Sequence, residues 1–187
     1  MDAPMITRPL DIASSSLVVI DVQGKLAQLM HDKETLFKNI IILIKAAKAL
    51  DIPIVWCQQV PHALGPTLPA IAELLTGLQP IDKAAFSCCG NDAFNDALNG
   101  IDRPQTLLCG IETHVCVYQT AMDLTRKGYE VTVVADAVSS RTAENKQVAL
   151  FRMAAAGIAV ASAEMVLFEL LRTAEHGKFR EIARLVK

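Results

Sequence analysis

Basic residues hold no majority in this sequence: 18 lysines and arginines stand against 20 acidic residues, for a net charge of -2 at pH 7. With a pI near 6.1, the chain presents no broad electrostatic footprint for a phosphate polymer, so nucleic acid is not an expected partner. Nor is there an unbroken apolar run of membrane length. The longest candidates, NIIILIKAAKAL and LFRMAAAGIAVASAEMVLFELL, are interrupted by Lys45, Lys48, Arg152, Gly157 and Glu164, which predicts a soluble protein with no membrane partner. The opening MDAPMITRPLDIASSS has neither the basic n-region nor the apolar h-region of a secretory leader. Five cysteines form an odd count without CxxC spacing, which fits a reducing, cytoplasmic setting. Internal repeats, low-complexity tracts and a second domain boundary are missing too.

What is present is core material. Of 187 residues, 52% are hydrophobic, enough for a single domain spanning 1–187. Short β-branched runs alternate with helical patterns. LVVIDV, residues 17–22, reads as a strand buried on both faces with Asp21 at its end. A helix is predicted from about Lys33 to Leu50, with Leu36, Phe37, Ile40, Ile41, Ile44 and Ala47 on its apolar side, stopped at Asp51-Ile52-Pro53. IPIVWCQQ is the second strand. Residues 61–82 hold four of the eight prolines and read as an excursion with one short helix around 69–76.

KAAFS follows as a short extended piece, then a helix from near Asn91, the strand TLLCGI, and a helix over roughly 114–127 closed by Gly128. YEVTVVADAV is a strand ending in Asp136. The helix of TAENKQVALFRMAAAG has Thr142 as its N-cap, IAVASAEMVLFELL gives a strand and a helix, and KFREIARLVK a last amphipathic helix. Such alternation predicts a three-layer α/β/α domain around a mainly parallel sheet, because parallel neighbours require crossovers and right-handed crossovers put helices on the faces.

The segment GIETHVCVYQTAMDLTRKG carries the clearest chemical signal. A strand passes through Gly110 into a polar turn and a helix with Cys116 in its first turn, where unpaired N–H groups and the helix dipole favour thiolate and can receive an oxyanion. A free cysteine is as readily a small buried hydrophobe, the reading given to Cys57 and Cys109 inside their strands. Cys88 and Cys89 are adjacent in a turn-like SCCGN and do not suit a mutual disulfide. Ligands of layered α/β folds bind beyond the carboxyl ends of the strands, at a switch point of strand order. That rule gathers Asp21, Gln58, Gln59, Lys83 and Cys116 at one sheet edge. Acid, lysine and cysteine form a workable set for thiol hydrolysis, since the nucleophile needs a proton acceptor and a positive neighbour.

VVIDVQ with Asp21 and Gln23, IDKAAFS with Lys83, and CGIETHVCVYQTAMDLTRKGYEVTVVADAVSSR with Cys116 and Asp136 together resemble the isochorismatase-like cysteine hydrolase family, which includes nicotinamidases and N-carbamoylsarcosine amidases. Residues from about 14 to 170 share the likeness, which extends to the small isochorismatase-domain-containing proteins through ALGPTLPAI, residues 63–71. The resemblance implies an isochorismatase-like, Rossmann-type layering and a triad: Cys116 as nucleophile, Asp21 as base, Lys83 as the orienting cation. It also implies a non-proline cis peptide at Ile111–Glu112 and an oxyanion hole from the backbone N–H groups of Glu112 and Cys116. Gln23, Trp56, Gln59, Phe86 and Tyr118 are candidate pocket residues. Self-association as a homo-oligomer is a further implication, as is hydrolysis of a small amide or related acyl substrate through a thioester.

Where nicotinamidases carry an Asp-x-His metal pair, this chain reads WCQQVPHALG. Neutral amides are poor ligands for a divalent ion beside carboxylate and imidazole, so no catalytic metal and no cofactor are expected, and nicotinamidase activity is disfavoured. His31, His114 and His176 show no ligand spacing, and His114 reads as a helix-start residue facing outward. Cys116 argues against vinyl-ether cleavage, since the family's true isochorismatases lack cysteine there. A ribonuclease label attached to some relatives finds no support in this charge distribution. The competing expectation is a catalytically idle relative serving as an oligomeric interaction module.

Overall fold

Backbone conformation turns strand into helix and back five times along the chain, in a computed structural model that describes residues 8–187. The reading of the first residues as lacking a leader rests partly on 1–7, outside the described residues. β1 (Ser15–Ile20) leads through a short α1 (Gly24–Gln28) and a long α2 (Lys33–Ala49) to β2 (Ile54–Gln59). The Pro-rich excursion holds two one-turn helices, α3 (Pro61–Leu64) and α4 (Pro69–Ala72), each with proline in its first turn where no N–H bond is lost. A 3-10 turn (Glu73–Leu75) extends α4, and β3 (Ile81–Lys83) and α5 (Asp92–Ile101) follow. β4 (Gln105–Ile111) runs into a π-helical turn (Thr113–Val117) continuous with α6 (Tyr118–Arg126). β5 (Glu130–Ser139), α7 (Ala143–Ala155), β6 (Ala159–Ala161), α8 (Ala163–Leu171) and α9 (Phe179–Leu185) complete the order.

All six strands are parallel, in the order β3-β2-β1-β4-β5-β6. Alternate residues of each strand face opposite layers, as the two-residue repeat of a strand requires. Leu17, Val19, Leu107 and Cys109 pack with α2, α8 and α9. Val18, Ile20, Leu108 and Val133 pack with α5, α6 and α7. Side-chain caps fix the helix starts: Asn91 accepts from Phe94 N, Thr142 from Asn145 N and Ser162 from Met165 N. At Gly110, φ is +120°, and a Cβ there would lie 2.0 Å from the carbonyl oxygen of Ile20. Glycine alone lets β4 lie this close to β1 at the strand ends.

Several expectations shift in detail. The extended piece assigned to KAAFS is β3 at Ile81–Lys83 instead, because the carbonyls of Ala85 and Phe86 turn back onto the Lys83 ammonium. The single helix expected at 69–76 is a one-turn α-helix and a 3-10 turn, preceded by α3; α1 was not anticipated, being one turn long. Asp136 does not end β5 but sits in its irregular middle, where its Oδ1 accepts from Ala163 N and so caps α8. Among the described residues, no helix is long and apolar enough to cross a membrane.

Candidate active site

Strand order reverses between β1 and β4, and the crevice beyond their carboxyl ends is where a doubly wound sheet binds ligands. Asp21 directly follows β1, Lys83 ends β3, and Cys116 lies in the π-helical turn after β4. Asp21 adopts φ +53°, a left-handed conformation that aspartate tolerates better than most residues. Lys83 Nζ donates to Asp21 Oδ2 at 2.7 Å and to Gln59 Oε1 at 2.6 Å, and it contacts the carbonyls of Ala85 at 3.2 Å and Phe86 at 3.1 Å. Lysine and aspartate side chains are 0% and 3% exposed, so this is a buried ion pair whose ammonium is fully engaged.

Asp21 Oδ1 is buried with no conventional hydrogen-bond partner, and the carboxyl's remaining polar neighbour is the Cys116 thiol. Burial raises the Asp21 carboxyl above its ordinary value of 3.8, against the pull of Lys83 and the thiol. Burial also works against the Lys83 charge, but Asp21 and the surrounding thiols outweigh it and hold the ammonium above the usual lysine range. The Cys116 thiol is pushed up to about 12, first by burial and then by Asp21, with Lys83 opposing. The thiolate expected from a helix N-terminus is therefore not the resting form. Apolar surroundings and a neighbouring carboxylate disfavour it.

The cavity over Cys116 has a volume of about 100 Å³ and is lined by Asp21, Leu26, Gln59, Leu64, Phe86, Ile111, Glu112, Val115 and Cys116. Gln59 and Phe86 are thus at the cavity; Gln23, Trp56 and Tyr118 are not in its lining. Gln23 instead joins β2 to the ALGPT loop, donating from Nε2 to the carbonyls of Gln59 and Gly65 and accepting from Gln59 N. Trp56 donates to Thr67 Oγ1 in the opposite layer, and the Tyr118 ring lies under the Arg152 guanidinium, 4.9 Å away. Leu26, Leu64, Ile111 and Val115 were missed from sequence, for an apolar residue carries no chemical mark until the fold turns it toward the Cys116 thiol.

The Ile111–Glu112 peptide is cis. The Glu112 carboxylate accepts from Arg141 N and Nε, both at 3.1 Å, a tie that the sequence did not expose. His114 does not simply face outward: it is half-buried, and its Nδ1 lies 2.9 Å from Ser140 Oγ. Cys57 and Cys109 are fully buried, and the neighbouring Cys88 thiol together with burial raises the Cys57 thiol well above its usual value. The positions corresponding to the nicotinamidase metal pair do not fit a metal. Gln58 Oε1 accepts from Thr67 N, Gln59 is taken up by Lys83 and the Ala84 carbonyl, and His62 is exposed in α3.

A doubly wound α/β domain with a thiol, a carboxyl and an ammonium at its switch point defines a class of layered hydrolase folds. The chain belongs to the isochorismatase family, whose domain model matches residues 15–165. It is 37% identical over 175 residues to isochorismatase domain-containing protein 2A of Mus musculus, covering 93% of this chain and 83% of that one. The MAR1 ribonuclease structure from Caenorhabditis elegans shares 36% identity at a TM-score of 0.90, covering 96% of this chain and 92% of that one. The YcaC gene product of Escherichia coli, described as an octameric hydrolase of unknown specificity, superposes at a TM-score of 0.90 with 23% identity, covering 98% and 91%, a likeness of fold.

Proposed function

We propose that this chain is a cysteine amidohydrolase acting on a small amide or related acyl substrate, with Cys116, Asp21 and Lys83 as its triad. The observation that supports this most is that Asp21 and Cys116, far apart in sequence, line one cavity, with Lys83 paired to Asp21 from behind its wall. Cys116 Sγ attacks the acyl carbon while Asp21 takes the thiol proton. The tetrahedral oxyanion is received by the backbone N–H groups of Glu112 and Cys116, and each such donor is worth about 2.7–4 kcal/mol in comparable sites. Collapse expels the amine with the proton held by Asp21, leaving a thioester. Water then attacks with Asp21 as base, releasing the acid and the thiol. Lys83 keeps Asp21 in place and offsets negative charge.

The ribonuclease name belongs to the C. elegans protein. A phosphodiester draws on cationic partners, whereas no lysine, arginine or histidine lines this cavity. The same proposal covers one domain over 1–187, a reducing cytoplasmic setting and self-association. Exposed Val148, Phe151 and Met165 on helices beside edge strand β6 support association, which light scattering tests by molecular mass. The deciding experiment for activity is a panel of small amides, ureido acids, esters and RNA assayed with wild type and Cys116→Ala. Turnover of an amide that vanishes in Cys116→Ala is expected. An intact fold with no Cys116-dependent turnover would favour the idle interaction module.

A further inference from the structure

Resting on the amidohydrolase reading, we propose that the cavity beside Cys116 accepts a short, uncharged aliphatic acyl group, with Leu26, Leu64 and Phe86 limiting its length. Three features lead there. The first is charge. Both acidic groups in the lining are already bound to cations outside it: Asp21 to Lys83, and Glu112 to Arg141. Lys83 has four oxygen neighbours and nothing left for a ligand, while Gln59 spends its amide on Lys83 and the Ala84 carbonyl. An anionic acyl group would enter beside the Asp21 carboxyl with no cation in the lining, and a buried unpaired charge is strongly disfavoured.

Size is the second feature. About 100 Å³ holds roughly three water volumes at ~30 Å³ each, far below the ~300–1,000 Å³ of drug-sized ligand sites. The third is rigidity of the wall. Gly24 N donates to the Pro66 carbonyl, Gln23 Nε2 holds the Gly65 carbonyl at 2.7 Å, and Gln23 bridges Thr67. A Cβ at Gly24 would lie 2.1 Å from the Leu64 carbonyl oxygen, so α1 and the ALGPT loop are in direct backbone contact. Leu26 and Leu64 therefore stand on two segments clamped together, and the Phe86 backbone is held by Lys83. Gln23, expected as a pocket residue, is a positioning residue that fixes this wall.

Alkylation of Cys116 tests the pocket independently of turnover. Iodoacetamide, iodoacetate and N-butyl iodoacetamide are applied to the full chain, Cys116 modification is followed by peptide mass spectrometry, and each rate is divided by that of free N-acetylcysteine. Normalised iodoacetamide is expected to exceed both iodoacetate and the butyl reagent at least tenfold, with Leu64→Ala or Phe86→Ala restoring the butyl reagent and leaving iodoacetate slow. Wild-type selectivity alone decides the matter should the variants not fold. Iodoacetate or the butyl reagent reacting as readily as iodoacetamide, or no reagent reaching Cys116 while half-buried Cys89 is modified, overturns the inference. Selective labelling without amide turnover would sink the hydrolase reading and leave the pocket inference standing. Turnover confined to anionic amides would do the reverse.

Discussion

The two ends of the parallel sheet differ in a way that separates size from chemistry. At the amino ends of β4 and β5 lie two larger hollows, one of about 600 Å³ lined by Asn99, Asp102, Arg103, Lys127 and Tyr129, and one of about 290 Å³ lined by Gln105, Glu130 and Ile158. Neither contains a cysteine or a buried ion pair. At the carboxyl ends lies a cavity of about 100 Å³ with a thiol and a desolvated carboxyl, the carboxyl paired to the fully engaged Lys83 ammonium outside the lining. Volume alone points to the amino ends. Strand direction points to the other, because parallel strands deliver successive loops, and with them unlike functional groups, to one edge.

The comparison breaks most sharply at Cys116. Cys116→Ala should lower amide turnover by on the order of 10⁶-fold, the scale of removing a nucleophile from another acyl-transfer site, with circular dichroism and melting little changed. Turnover surviving in that variant would move the chemistry elsewhere, the large hollows included. Next in size is the buried pair. Asp21→Asn should cost about 10²–10⁴ in kcat, and Lys83→Met, by leaving a buried carboxylate unpaired, about 3–5 kcal/mol of stability in urea titration. Joining Lys83→Met with Asp21→Leu should recover much of that stability and none of the activity.

Gly110→Ala should destabilise by several kcal/mol at most and at least ~1 kcal/mol, since its Cβ meets the Ile20 backbone at 2.0 Å; an unchanged melting temperature would contradict this close approach of β4 to β1. For pH, kcat/KM should fall toward acid along a limb lying above 3.8, because burial raises Asp21 and protonation removes the base. A limb at or below 3.8 would rule out Asp21 as a desolvated base. The thiol titrates oppositely to expectation for an exposed site: folded Cys116 keeps its proton to about 12 against 9.0 when unfolded. The folded state then binds more protons across that window, so its contribution to stability is lost as pH rises from 9.0 to about 12, and Cys116→Ala should flatten the decline. The smallest effect is expected at the other end of the sheet. Tyr129→Phe, which removes an exposed bond to Asn99, should change turnover less than twofold and stability by about 0.5 kcal/mol or less.

Legibility followed the reach of each signal. β1, α2, β2 and β4 were readable because their apolar periods are long and their stops are chemical: Pro53 after α2, Gly128 after α6. The one-turn helices α1 and α3 were not, for a single turn leaves no period. β3 was displaced because three residues, Ile81–Lys83, form a strand only through pairing with β2. At the site, the residues with distinctive chemistry, Asp21, Lys83 and Cys116, were named from their order, whereas Leu26, Leu64, Ile111 and Val115 look like any other core positions in sequence.

By itself the sequence determined the alternation of strand and helix, the two-faced burial of the strands and the chemical identity of the three polar groups at the strand ends. These depend on local periodicity and on side-chain type. Only the tertiary structure decided that Lys83 has no free donor, that Cys116 holds its proton, that Asp136 caps α8, and that the wall of the cavity is apolar and clamped. Each of these depends on which atoms from distant segments exclude water together, and burial is a property of the packed layers that no single segment carries.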